Sequence, residues 1–364
     1  MHRQIRMIMY IVIAFFFVLA IVAAAAGMNK EEEKKRSSLE SGDAALRYPY
    51  SRLNEREKAL YTALCEGISE YRHQIRLPDT FTAKEYEKVY LTVSMQEPEF
   101  FYLDEVYELS DVMETATIHY AIPKEEAEIK RQSLEAVAES ILSYISPIQT
   151  DGQKMLIIHD EIARRCTYME PAGMKDSAYT ALVLGTSRCE GYAKAFLYLC
   201  RRAGLDAMCV TGRSDKGVNH VWNKAKFGEK YYNVDVTWDD DDSYNGHIVH
   251  SCFAMPDDLF TDHIVDTKSF VPPVSSGTGE TYYYQRGYQV RELSQLMPQI
   301  GSWFANMTDG MVEFQCMDQM IYDEAVRSLR EEPAKIAEWN PALNGTYYSA
   351  IGDRDRQIVV IIVE

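Results

Sequence analysis

The chain has 364 residues, 46% hydrophobic and 26% charged, with 25 tyrosines and a formal net charge of −17. That is enough length and apolar content for one large or two modest packed domains, and it excludes a disordered chain. The acidic balance reads as a solvated exterior and argues against nucleic acid or an anionic membrane surface as partner, since phosphate recognition needs a basic face.

His2, Arg3 and Arg6 precede an uninterrupted apolar run over residues 7–26. At 1.5 Å rise per residue this run spans about 30 Å, enough to cross a hydrocarbon core. It is also longer than the ~7–15-residue apolar region of a secretory signal. The alanines at 23–26 offer a cleavage site, so residues 1–28 read as a signal anchor or a cleaved signal peptide that delivers the body across a membrane. The basic residues within 30–36 weaken the charge rule for orientation. Residues 29–50, charged and without an apolar period, read as a linker.

Residues 51–150 form an N-terminal helical and strand region. Leu60, Leu64 and Ile68 recur at helical spacing after Asn54, and Pro78 closes that stretch. Thr82 and Glu85 fit a capping box that opens a second helix. Residues 98–103 and 116–122 read as strands. A long amphipathic helix places Ile129, Leu134, Val137, Ile141 and Ile145 on one face. Asp151 then caps a helix carrying Met155, Ile158 and Ile162.

Residues 151–270 form the core. A short helix over 179–184 ends at Gly185; a second begins at Cys189 and stops at Gly204, where a C′ glycine belongs. Residues 207–210 read as a strand, and 218–227 and 230–238 as two strands joined by the two-residue turn Gly228-Glu229. If Phe227 pairs with Lys230, His220 falls opposite Thr237 and Asp235 is its diagonal neighbour on the same face, about 7–8 Å away. A one-residue slip would put them on opposite faces. Residues 239–270 are loop-rich and 271–281 read as a hinge or surface loop. Residues 271–364 make a C-terminal α/β module, with helices at 290–305 and 318–330 and strands at 311–316 and 357–363.

A cysteine at a helix N-terminus feels the positive end of the helix dipole, which favours thiolate. Taken alone, Cys189 is a packed thiol and His220 a sheet histidine. Asp235, however, is an acid in a strand interior and needs a partner. Thiol, imidazole and carboxylate together are the parts of a nucleophilic acyl-transfer site. Seven cysteines form no CxxC pair, so neither a zinc site nor a thioredoxin-like motif is expected; most read as buried free thiols, and Cys189 as the reactive one. The acidic run 239–242 lacks a calcium-loop frame and reads as a solvated loop. No metal and no cofactor are expected.

The stretches Ser177-Ala-Tyr-Thr-Ala-Leu, Cys189-Glu-Gly-Tyr-Ala, His220-Val-Trp-Asn and Tyr232-Asn-Val-Asp235-Val-Thr-Trp-Asp-Asp resemble the transglutaminase-like superfamily, notably its bacterial secreted or membrane-attached branch. The resemblance covers residues 150–263, with 98–103 and Ile158-His159-Asp160 similar to its upstream signatures. It implies an α+β, papain-like fold whose nucleophile helix packs on an antiparallel sheet, with Cys189 as nucleophile, His220 as general base and acid, and Asp235 as orienter. The substrate implied is a protein or peptide amide, and the outcome hydrolysis or transamidation through a thioester. The N–H of Cys189 is the first oxyanion donor. Tyr179 is a weak candidate for the second, and Trp222 and Trp238 for the acyl groove, each with packing as the competing role; His159 reads as structural. The rival reading is a non-catalytic envelope or cell-surface interaction protein on the same scaffold.

Overall fold

The computed structural model describes residues 47–266, 270–307, 310–331 and 348–363. The apolar run 7–26 and most of the linker lie outside them. Among the described residues no helix is long and apolar enough to cross a membrane. Residues 47–51 make one helical turn, Tyr48–Ser51, in a unit separate from the compact body that begins at Arg52.

The body opens with α1 (Glu55–Ser69), whose Asn54 cap and Glu57 form a reciprocal capping box. The next segment departs from the sequence reading: residues 74–82 are not a helix tail but an edge strand, β1 (Gln74–Thr82). Pro78 is tolerated there because the pairing slips between Arg76 and Phe81, and a bulge on an edge strand asks for no N–H. Thr82 caps α2 (Ala83–Gln96) through the expected box with Glu85. Residues 98–100 form a 3₁₀ turn instead of a strand, the proline at its start suiting a first helical position; the strand, β2 (Leu103–Tyr107), follows. With β3 (Val112–Tyr120) these make a three-stranded antiparallel sheet in the order β1-β3-β2.

α3 (Lys124–Leu142) buries Ala127, Leu134, Ala138 and Ile141, whereas Ile129 is exposed. The inward stripe is thus set partly by alanines, which apolar spacing of large residues overlooks. α4 (Asp151–Arg165) is capped by Thr150 with Gln153, one residue earlier than expected. The short strands β4 (Thr167–Tyr168) and β5 (Thr186–Ser187) pair in parallel as a two-stranded sheet.

The central layer is a five-stranded antiparallel sheet, ordered β10-β6-β7-β8-β9: β6 (Ala207–Ser214), β7 (Asn219–Phe227), β8 (Lys230–Val234), β9 (Phe253–Met255) and β10 (His263–Val265). The helix α5 (Cys189–Arg202) packs on β6 and β7 with nine buried residues, among them Phe196, Leu199 and Cys200. Asn223 of β7 stitches the two layers, its Nδ2 donating to the carbonyls of Ala193 (3.0 Å) and Met208 (3.3 Å). Beyond it a second sheet, β11 (Gln289–Val290), β12 (Met311–Cys316), β14 (Ile358–Val363) and β13 (Tyr348–Asp353) in that order, carries α8 (Leu293–Ala305) and α9 (Gln319–Glu331) over Phe314, Val359 and Ile361. The short α6 (Val236–Asp239) and α7 (Tyr282–Arg286) complete the set. The molecule is an α+β protein with a helix laid on an antiparallel sheet.

Candidate active site

The start of α5 is fixed by its neighbours. Asp176 accepts from the Arg188 N–H (2.6 Å), from Arg188 Nε (2.8 Å) and from Ser187 Oγ (2.9 Å), pinning the residues just before Cys189. Gly191 lets the first turn settle on that segment: a Cβ there would lie 1.9 Å from Ser187 Oγ and 3.0 Å from the Ser177 carbonyl oxygen. Cys189 is the first residue of α5 and half-buried. Helix geometry leaves its N–H and that of Glu190 without intrahelical partners.

The hairpin pairs Phe227 with Lys230 as expected, and Gly228 takes the positive φ (58°) its turn requires. The second strand is shorter than the sequence reading. β8 ends at Val234, so Thr237 never pairs with His220. Asp235 instead caps α6, its Oδ1 accepting from the N–H groups of Thr237 (3.0 Å) and Trp238 (3.4 Å). Its Oδ2 accepts from His220 Nε2 at 2.6 Å. The Cys189 thiol lies near enough to raise the same imidazole, after the Asp235 carboxylate. His220 and Asp235 therefore meet, through a cap rather than a strand diagonal.

Burial opposes a charge on His220, but the Asp235 carboxylate and then the thiol outweigh it and lift the imidazole to about 10. Asp235 is fully buried, which would raise it; His220 and His263 reverse this and hold it well below the usual carboxylate range. Trp222 is buried, stacks beneath His220 with centroids 6.1 Å apart, and donates from Nε1 to Asn233. It is a core residue, not a groove wall. Trp238 is half-buried and packs on His263 (4.2 Å) and His220 (5.5 Å). Tyr179 is buried, stacked on Phe101 and covered by the Lys130 ammonium, the packing role. A cavity of about 110 Å³ borders the first turns of α5, lined among others by Tyr90, Phe101, Asp176, Glu190 and Lys194.

Several residues escape the sequence reading. His263 donates to the same Asp235 oxygen at 3.0 Å. His159, fully buried and structural as expected, contacts Asp160 (3.0 Å) and Asp239 (3.1 Å). Asp239 also accepts from Ser251 Oγ and the Cys252 N–H, while Asp240, raised to about 6 by burial, accepts from Tyr192 Oη. The first half of the acidic run is thus internal scaffolding, not a solvated loop. His250 sits between Asp160 (3.1 Å) and Glu313 (2.6 Å) of the C-terminal sheet. Two groups, His159/Asp160/His250 and His220/Asp235/His263, bring nitrogen and oxygen atoms within 4.8 Å, the spacing a metal ion would need. In each, one carboxylate oxygen already faces both imidazoles. None of the seven cysteines is in a disulfide; Cys65 and Cys189 are the two not buried.

Comparisons with known proteins bear on one segment. Residues 137–236 match the family profile described as Transglutaminase-like superfamily, Transglut_core. No curated protein matches the chain. Among solved structures, a TGase is 16% identical over 32% of this chain and 34% of its own, with a TM-score of 0.27. A candidate cysteine protease from Cytophaga hutchinsonii is 15% identical over 42% and 44%, and a candidate protease from Parabacteroides distasonis 11% identical over 72% and 61%, each with a TM-score of 0.27. The chain spans between about a third and three fifths of the solved chains it matches. The match to the transglutaminase-like superfamily thus falls on the segment that carries Cys189, His220 and Asp235.

Proposed function

We propose that this protein is a thiol-dependent acyl-transfer enzyme acting on protein or peptide amides through Cys189, His220 and Asp235. One observation carries the reading: a buried imidazole meets, at 2.6 Å, a carboxylate fixed by two backbone N–H groups, and the thiol at the start of α5 lies near enough to raise it further. With Nε2 engaged by Asp235, Nδ1 is the nitrogen left to take the thiol proton. The thiolate then attacks the amide carbonyl carbon, and the Cys189 N–H faces the developing oxyanion. The imidazolium returns its proton to the nitrogen of the breaking C–N bond, the amine leaves, and a thioester remains. Water, or a lysine amine, deprotonated by the same imidazole, attacks the thioester carbonyl; the C–S bond breaks, the acyl group leaves as a carboxylic acid (hydrolysis) or an amide (transamidation), and the thiolate regains the proton from the imidazolium. None of these steps calls for a cofactor. The apolar run 7–26 supports a body tethered to, or exported through, a membrane, with the site on the extracytoplasmic side.

The test is mass spectrometry of glutamine-containing peptides incubated with the body and a primary amine. Amine incorporation, loss of ammonia to give glutamate, and backbone cleavage each name a different reaction. Cys189→Ala and His220→Ala are expected to abolish whichever occurs, by about 10³-fold or more. Undiminished turnover in Cys189→Ala would refute the thiol assignment, and none of the three products from wild-type protein would leave the scaffold as an interaction module.

A further inference from the structure

Asp235 holds more than one imidazole. His220 Nε2 at 2.6 Å and His263 Nε2 at 3.0 Å both meet Oδ2, while Oδ1 takes two backbone N–H groups. An ionised carboxylate has about four acceptor sites, and these four donors fill them, leaving it no rotational freedom. His263 is in turn gripped from behind. Its Nδ1 faces Asp262 Oδ1 at 2.7 Å, and Asp262 takes both arms of the Arg356 guanidinium, at 2.9 and 2.8 Å. Phe260 stacks on the His263 ring at 3.8 Å, and Trp238 packs on it at 4.2 Å. Arg356 itself is 3% exposed, lies over Phe260 and Trp238, and is tied to Asp353. It comes from the turn between β13 and β14, in the C-terminal sheet.

We propose, resting on the triad reading above, that His263 is a positioning residue: it fixes the Asp235 carboxylate that holds His220 against Cys189, and Asp262 and Arg356 fix His263. The C-terminal sheet is then a working part of the site, because a residue of the turn between β13 and β14 anchors the triad through a bidentate ion pair. Asp262 and Arg356 form the outermost charged pair of this chain, and Asp235 and His220 the innermost. Planar bidentate geometry explains why an arginine stands there, since lysine offers a point charge without the fork. Gly212 contributes space. It pairs with His220 across the sheet, and a Cβ on it would lie 2.3 Å from the Ile264 carbonyl and 2.8 Å from Trp222, so β10 and its histidine can approach only a glycine.

The experiment measures the rate of Cys189 alkylation by iodoacetamide against pH, in a Cys65→Ser background, with melting temperature recorded alongside. Wild type, His220→Ala, Asp235→Asn, His263→Phe, His263→Gln and Arg356→Lys are compared. Phenylalanine keeps the stacked ring without N–H groups; glutamine restores a donor where Nε2 stood. The expected result is that His263→Phe lowers the neutral-pH rate by about 10- to 100-fold and moves its pH profile onto that of Asp235→Asn. His263→Gln should recover part of the loss, and Arg356→Lys should move the profile in the same direction by less. A purely structural role would lower the melting temperature and leave the profile of the remaining folded protein unchanged. A wild-type profile in His263→Phe, or in both His263→Gln and Arg356→Lys should the phenylalanine variant not fold, overturns the inference. A wild-type profile identical to that of His220→Ala overturns the triad itself, a distinct result.

Discussion

Asp235→Asn separates a charged anchor from a shape-filling one. The substitution keeps size and leaves an amide facing the same four donors. If the amide oxygen stays on the Thr237 and Trp238 N–H groups, at 3.0 and 3.4 Å, Nδ2 turns to His220 and His263. An amide nitrogen only donates, so His220 must then present a lone pair at Nε2 and carry its proton on Nδ1, toward the thiol it should deprotonate. The electrostatic loss acts the same way. The lift of His220 from 6.5 to about 10 corresponds to roughly 5 kcal/mol of preference for the charged ring, and the carboxylate is its main favourable cause. Turnover is expected to fall by about 10²–10⁴-fold, the range seen when a triad loses its acid. The alkaline limb of activity, expected near 10 in wild type because the leaving amine needs the imidazolium proton, should move toward neutrality. The assay is steady-state turnover of the responsive peptide from pH 5 to 11, with circular dichroism to confirm the fold. Turnover within twofold of wild type and an unmoved alkaline limb would refute the assignment of Asp235.

Three further outcomes follow from the same geometry. Gly191→Ala drives a methyl to within 1.9 Å of Ser187 Oγ, a side chain already bound to Asp176 and Thr180, and is expected to cost about 1–3 kcal/mol in urea unfolding and to slow Cys189 alkylation; a neutral variant would contradict the packing described. Native-state labelling is expected to modify two thiols, Cys65 and Cys189, and one after Cys189→Ser; five buried thiols should react only on unfolding, and intact-mass counts above two in native protein would contradict this. Stability should depend on the raised histidines with a definite sign. His220 and His250 are each pushed to about 10 when folded, so their contribution is complete below about 6.5 and is lost as pH rises through 10. Melting temperature is therefore expected to fall between pH 6.5 and 10, and less steeply in His220→Ala; equal slopes would place that dependence elsewhere.

Much of the fold was readable because local rules and burial agree. The capping box at Thr82 and Glu85, the C′ glycine at Gly204, and the Gly228 turn with Phe227 facing Lys230 all stand as the sequence implies. Errors gather where a long-range partner overrides a local rule. Pro78 looks like a stop signal, yet it sits in a bulge of β1 that β3 defines from over thirty residues away. Ile129 fits the apolar period of α3, but what faces inward is decided by the layer it packs on, and Ala127 and Ala138 suit that contact better. Residues 98–103 carry strand-forming aromatics, while the proline and the turn into β2 wind 98–100 into a 3₁₀ helix.

At the site, order and spacing pointed to His220 and Asp235, which meet, but the geometry that joins them is a different one. The diagonal across β7 and β8 was a sound reason to put Asp235 and His220 on one face, and the chain leaves the ladder one residue too early for it to apply. The cap that replaces it is the better device. A strand side chain can still turn about its own bonds, whereas a carboxylate that accepts two backbone N–H groups with one oxygen presents the other in a fixed direction. Its remaining partner was invisible for a physical reason: His263 lies in a three-residue strand too short for any period, and its supports, Asp262 and Arg356, are 94 residues apart in the chain. Periodicity reports which face of an element is buried; it carries no record of which buried polar groups face one another, and that pairing is where the electrostatics of this site reside.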